Sequence, residues 1–154
     1  MNRVLDRLFI GDSSDLEDRA PLRSCGFSAV VDLRDDVQPR DYGVDAFRLT
    51  NRDGDPWSRD AIETALEFIH EHIRKGRVLV ACAAGISRSA SMVIGYLVFV
   101  GHDVPTAYGI VRDARPKIAP IHGMLDAVLK AVLGVDEKSV FEPECLPVFS
   151  RDKG

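Results

Sequence analysis

The sequence predicts an α/β fold, a central mostly parallel four- to five-stranded sheet with helices on both faces. Three observations carry that prediction. Residues 28–33 (SAVVDL) and 78–81 (VLVA) are short continuous apolar runs, the composition of strands buried on both sides. Residues 58–75 and 92–100 instead have the length and apolar distribution of helices. Between them, residues 78–100 (VLVACAAGISRSASMVIGYLVFV) pass from strand to helix through a loop of small residues. That loop belongs at the carboxyl end of a sheet strand, where α/β folds place their ligand sites.

Composition bounds the rest. A chain of 154 residues accommodates one substantial core and not two. Net charge is −4, so no bulk attraction to nucleic acid or to an anionic membrane is expected. The first residues, MNRVLDRLF, lack a signal-peptide core, and no apolar run is long enough to span a bilayer. Three widely spaced cysteines without a CxxC argue against a zinc site and a disulfide framework. They suggest a reducing compartment, with the cytoplasm expected.

In chain order, residues 4–10 read as a first strand ending at Gly11, and DSSDLED as a turn into short helical segments. Pro21 fits the first turn of a small helix closed by Gly26. After the strand at 28–33, the charged run 34–43 reads as an exposed loop, either near the substrate or simply solvated. Residues 46–49 form a weak strand leading into TNRDGDPWS, dense in turn residues. Ser58 caps a helix to about Lys75, with Ile62, Ala65, Leu66, Ile69 and Ile73 at helical spacing. His70 and His72, two apart on that helix, do not face each other and are taken as surface residues. Gly101 closes the helix after the loop, residues 104–115 form another that ends at Arg115-Pro116, and residues 120–133 form the last core helix. A domain over 1–133 is expected, with residues 134–154 as a C-terminal extension of unknown role.

The chemistry concentrates at Cys82, Gly85 and Arg88. A loop entering a helix N-terminus gathers unpaired N–H groups and the positive end of the helix dipole, which favours an anion. Gly85 permits backbone closed to other residues, and Ala83 and Ala84 leave room for an oxyanion among the amides. Arg88 offers the same anion a planar fork. Cys82 at the mouth lies in a field that favours the nucleophilic thiolate. A buried structural cysteine before an ordinary helix is the plainer alternative.

Cys82 to Arg88 fits the Cx5R signature of protein tyrosine phosphatases, and CAAGISRS closely resembles the dual-specificity branch of that family. The opening strand, the VVDLR strand and the segment RPKIAPIHGML resemble the family in the expected order, so that the likeness runs over about 4–133. It implies a protein tyrosine phosphatase-like fold and hydrolysis of phosphate esters. Cys82 would attack phosphorus, residues Ala83, Ala84, Gly85, Ile86, Ser87 and Arg88 would bind the phosphate, and Ser89 would steady the departing thiolate. The leaving oxygen needs a proton. Asp53, in Asp53-Gly54 shortly before Pro56, resembles the family's general acid, and Asp55 is the alternative. Trp57 packs over the phosphate mouth or belongs to the core. No metal or other cofactor is implied, because amides and guanidinium neutralise the phosphate.

Two positions depart from the resemblance. Ala81 stands where the family usually carries histidine before the nucleophile, and Ile121 where it usually carries asparagine. Both changes remove polar support around the loop. They motivate an alternative of another class, a catalytically weak pseudophosphatase that binds phosphorylated partners. The apolar Ala83, Ala84 and Ile86 disfavour inositol phosphates, and the acidic net charge disfavours RNA ends. Phosphotyrosine and phosphoserine or phosphothreonine in proteins or peptides are the expected substrates, with no nucleic-acid or membrane partner and a monomer as the default. An accessible thiolate would be sensitive to oxidants, with Cys25 and Cys145 as resolving cysteines or as incidental ones.

Overall fold

The computed structural model describes residues 1–17, 22–35, 40–50 and 55–134. Five strands form one sheet: β1 Asn2–Leu5, β2 Leu8–Gly11, β3 Phe27–Asp32, β4 Asp45–Arg48 and β5 Arg77–Ala81, in the order β1-β2-β5-β3-β4. Only the edge pair β1–β2 is antiparallel; β2–β5, β5–β3 and β3–β4 run parallel. Strand β5, which leads to Cys82, therefore lies at the centre.

Alternation along the strands divides the core between two faces. Leu8, Ile10, Ala29, Val31, Val78 and Val80 pack against helices α2 Arg59–Ile73, α3 Arg88–Phe99, α4 Val104–Ala114 and α5 His122–Leu133. Val30, Leu79 and Ala81 face the other way, onto Leu16 of the short helix α1 Ser13–Glu17 and Leu22 of a 3-10 turn at Leu22–Cys25. Long helices thus cover one face and short pieces the other. Gly95 brings α3 against α5, since a Cβ there would lie 2.1 Å from Val128 Cγ1. Ser58 caps α2, its Oγ accepting from Ala61 N at 3.3 Å. Among the described residues, no helix is long and apolar enough to cross a membrane.

Four expectations change. The run 4–10 is not one strand: it is divided between β1 and β2 by a tight turn at Asp6-Arg7, which carries no Asn-Gly or Gly signal of a hairpin. The run after β3 is not simply an exposed loop. Arg34 is 2% exposed and Tyr42 is buried with it, although 36–39 lie outside the described residues. Burial is possible because the charge is matched: Arg34 Nε donates to Asp32 Oδ1 at 3.0 Å, Nη2 to Asp32 Oδ2 and to Tyr42 Oη, and Nη1 reaches Glu17. His72 is not on the surface either; it is buried, stacked on Phe68, with Nε2 2.9 Å from Asp45 Oδ2. Pro21 lies outside the described residues, and the helix expected there is a single 3-10 turn. Residues 135–154, including Cys145, lie outside the described residues as well.

Candidate active site

Strand β5 ends at Ala81, α3 starts at Arg88, and residues 82–87 close the gap in a tight loop. Each carbonyl from 83 to 87 is taken by a donor from elsewhere in the chain. Ser13 N donates to Ala83 O at 3.1 Å, Ala119 N to Ile86 O at 2.9 Å and Ser91 N to Ser87 O at 2.9 Å. Arg115 supplies the other two, with Nε donating to Gly85 O at 2.8 Å and Nη2 to Ala84 O at 3.5 Å. Carbonyls held outward leave the loop's amides turned inward, which makes a concave array of donors at a helix N-terminus. Gly85 has φ +66°, and a Cβ on it would lie 2.6 Å from Arg115 Nη2 and 2.7 Å from Gly11 O. The position admits glycine alone on both counts.

Cys82 lies at the base of this array, 3% exposed. Gly85 N donates to its Sγ at 3.3 Å, and Ser89 Oγ lies 3.2 Å away on the first turn of α3, where its hydroxyl can donate to a thiolate. Burial pushes the thiol pKa up, but the Ser89 hydroxyl together with the amides of Ser89, Gly85 and Ile86 outweighs it, so that Cys82 ionises below its ordinary range. This lowering is found with Ala81, not histidine, before Cys82.

Arg88 reaches toward the residues that follow β3. Its Nη1 donates to Leu33 O at 3.0 Å and pairs with Asp35 Oδ2 at 2.6 Å. Ile121 leaves its side chain 61% exposed, yet its backbone N donates to Ser87 Oγ at 3.1 Å. Main-chain donors at Ala119 and Ile121 thus hold the loop at Ile86 O and Ser87 Oγ.

Of the candidate residues, Cys82, Ala83, Ala84, Gly85, Ile86, Ser87, Arg88 and Ser89 form one loop and helix start. Asp53 lies outside the described residues. Asp55 is exposed, and Trp57, two residues on, is buried in the core beside α2. Cys25 is exposed. Among the described residues, no group of three or more His, Cys, Asp and Glu side chains is placed to hold a metal ion.

Three contributors are absent from the sequence reading. Arg115, read only as a helix end, is buried under the loop, and its Nη2 also donates to Asp12 Oδ2 at 3.0 Å. The hydrogen bond from the Ser14 side chain, helped by Arg115 against some burial, holds the Asp12 pKa at about 2. Asp35 is the third. An arginine beside a helix-ending proline, in a segment resembling a phosphatase family, was the available signal for the first.

The family model for the catalytic domain of dual specificity phosphatases matches residues 8–131. Dual specificity protein phosphatase 8 of Mus musculus is 28% identical over 139 residues, covering 84% of this chain and 20% of that relative. Dual specificity protein phosphatase 22 of Xenopus tropicalis is 32% identical over 128 residues, 80% of this chain and 60% of the relative. The chain therefore spans from about a fifth to three fifths of those two proteins' lengths. Among solved structures, human DUSP28 superposes with a TM-score of 0.77 at 25% identity, covering 88% of this chain and 97% of that one. With the matching region containing β2, β5, the Cys82–Arg88 loop and α3, this chain belongs to the dual specificity phosphatase catalytic-domain family.

Proposed function

We propose that the chain is a cysteine-dependent protein phosphatase that hydrolyses phosphotyrosine and phosphoserine or phosphothreonine monoesters through a phosphocysteine intermediate, acting in the cytoplasm. One observation carries the reading: Cys82 Sγ sits under inward-turned amides, with donors from Gly85 N and Ser89 Oγ within 3.3 Å. The thiolate attacks phosphorus, forming the S–P bond as the P–O bond to the leaving group breaks. Loop amides and Arg88 hold the equatorial oxygens. Asp53 gives its proton to the leaving oxygen, with Asp55 as the alternative acid. Water then attacks the phosphocysteine, losing a proton to the same carboxylate, and the S–P bond breaks to return a thiolate steadied by Ser89.

Hydrolysis of para-nitrophenyl phosphate and of phosphotyrosine, phosphoserine and phosphothreonine peptides tests the proposal, comparing the natural chain with Cys82→Ser, Asp53→Asn and Asp55→Asn. Cys82→Ser should abolish turnover. One asparagine variant should lose about 10²- to 10⁴-fold on phosphoserine peptide, whose alkoxide most needs a proton, and the other should lose little. Absence of turnover at every pH with tungstate still bound would replace this reading with a phosphate-binding pseudophosphatase. Turnover confined to inositol lipids or RNA ends would overturn the substrate class.

A further inference from the structure

Arg115 is held by three different parts of the chain. Its Nε donates to Gly85 O at 2.8 Å in the loop after β5, and its Nη2 to Asp12 Oδ2 at 3.0 Å just beyond β2. Its Nη1 donates to Asn2 Oδ1 at 2.7 Å. Asn2 is the first residue of β1, an edge strand that lies outside the family match over 8–131. A guanidinium is a rigid planar fork, so two contacts leave it free to swing about the line joining them and a third fixes its plane. We propose that Asn2 is a positioning residue of the phosphate site, fixing the plane of Arg115 and, through it, the loop peptides whose amides face Cys82.

The hairpin delivers Asn2 to Arg115 by a change of register. Next to the turn Leu5 pairs with Leu8, but farther out Arg3 pairs with Phe9 and Asn2 with Ile10, a slip of one residue between Arg3 and Leu5. Directly opposed residues share a face of the sheet, and Ile10 belongs to the face covered by the long helices. Asn2 therefore faces the layer of α4, which packs on β1 and ends at Arg115. Without the slip, Arg3 would stand opposite Ile10 and Asn2 would turn to the other face, away from Arg115. Irregularities of this kind interrupt the ladder and re-aim a side chain, and they gather beside functional sites. Arg115 passes the constraint on through two peptide planes. Its Nη2 and Nε hold the carbonyls of Ala84 and Gly85. In a planar trans peptide the N–H points opposite to the C=O, so the same planes aim the N–H groups of Gly85 and Ile86 the other way. Those are two of the amides that bond Cys82.

The inference rests on the phosphatase reading for its meaning in catalysis, but its test does not need turnover. Calorimetric titration with tungstate and the pH profile of Cys82 alkylation by iodoacetamide would compare the natural chain, Asn2→Ala and Asn2→Asp, with thermal melting as a check that each is folded. Asn2→Ala should weaken tungstate binding about five-fold, the size of effect that goes with one hydrogen bond. Its alkylation profile should move to higher pH, because the Gly85 and Ile86 amides are no longer held toward the thiolate. Asn2→Asp keeps an oxygen to accept from Nη1 and should restore both readouts, which a general loosening of the edge strand would not do. In an Arg115→Met background, Asn2→Ala should have no further effect. Tungstate binding or an alkylation profile that stays in place in Asn2→Ala would overturn the proposal and leave Asn2 as a partner of a buried charge and nothing more. Losses that Asn2→Asp fails to restore, or that recur in full in the Arg115→Met background, would overturn it as well. The two Asn2 variants decide the matter by themselves if Arg115→Met does not fold. Failure of the natural chain to hydrolyse phosphate esters, with this tungstate pattern intact, would overturn the enzymatic reading alone.

Discussion

Two polar assemblies stand at the carboxyl ends of neighbouring parallel strands, and they are built in opposite ways. After β3, the Asp32–Arg34–Tyr42 cluster is closed: Asp32 receives Arg34 at both carboxylate oxygens and Tyr42 Oη at 2.6 Å. After β5, the loop 82–87 is open: its carbonyls are taken from outside and its amides turn toward Cys82. A closed assembly satisfies itself and contributes to stability, whereas an open one leaves its donors to a ligand. Arg88 joins the two, reaching from the start of α3 to Leu33 and Asp35.

Breaking the closed assembly should register first as lost stability. Burial pushes the Asp32 pKa up, but bonds from Arg34 and Tyr42 overcome it and the group ionises below its usual range. Asp32→Ala would leave the 2%-exposed Arg34 with the more distant and exposed Glu17 as its remaining carboxylate in the cluster. A loss of about 3 kcal/mol is expected in denaturant unfolding, at the lower end for a broken buried pair because Glu17 stays within reach. A loss below about 1 kcal/mol would mean that water reaches Arg34 and that the cluster is not closed.

Breaking the open assembly should register in turnover. Gly85→Ala forces a Cβ onto Arg115 Nη2 and Gly11 O at a positive φ, so the loop must shift or Arg115 must leave it. Either displaces the amides by a good fraction of an ångström, and kcat/KM should fall about 100-fold. Near-natural turnover in the alanine variant would show that the amides do not depend on this backbone geometry.

The same contrast explains what could be read in advance. Cys82, Gly85, Arg88 and Ser89 lie within one turn of loop and helix, so their nearness was legible in their spacing. Arg115 reaches Gly85 from 30 residues away and Asp12 from 103, and no local pattern records such contacts. Asp35 was hidden for a different reason: a charged run reads as solvated, since charges are seldom buried unless paired. A finer signal existed. Asp32 and Arg34, two apart on extended backbone, point to one side and can pair. His72 likewise continues the apolar stripe of Ile62, Ala65, Leu66 and Ile69, the stripe that α2 buries. The two-residue turn at Asp6-Arg7 left no mark because the same alternation runs through both strands of the hairpin. Asp53, the proposed general acid, lies outside the described residues, and its alternative Asp55 is exposed.

The smallest effect concerns Ser89, on the first turn of α3, whose side chain can donate to Cys82. Ser89 Oγ lies 3.2 Å from Cys82 Sγ, and its hydroxyl contributes most to lowering the thiol pKa against the effect of burial. A lowered pKa keeps the reactive thiolate populated at a lower pH than an ordinary thiol, so alkylation of Cys82 by iodoacetamide should begin below the usual thiol range as pH rises. Ser89→Ala removes the donor while leaving the amides, and the alkylation profile should move to higher pH. Exposed Cys25 in the same chain, followed by mass spectrometry of its own peptide, provides the internal reference for reagent reactivity. Turnover at high pH, where both forms are ionised, should still fall about ten-fold on the proposed mechanism, in which the departing thiolate would lose a hydrogen bond to its charge. A profile that stays in place would assign the lowered pKa to the backbone amides alone, and the open loop would then work through its main chain without help from a side chain.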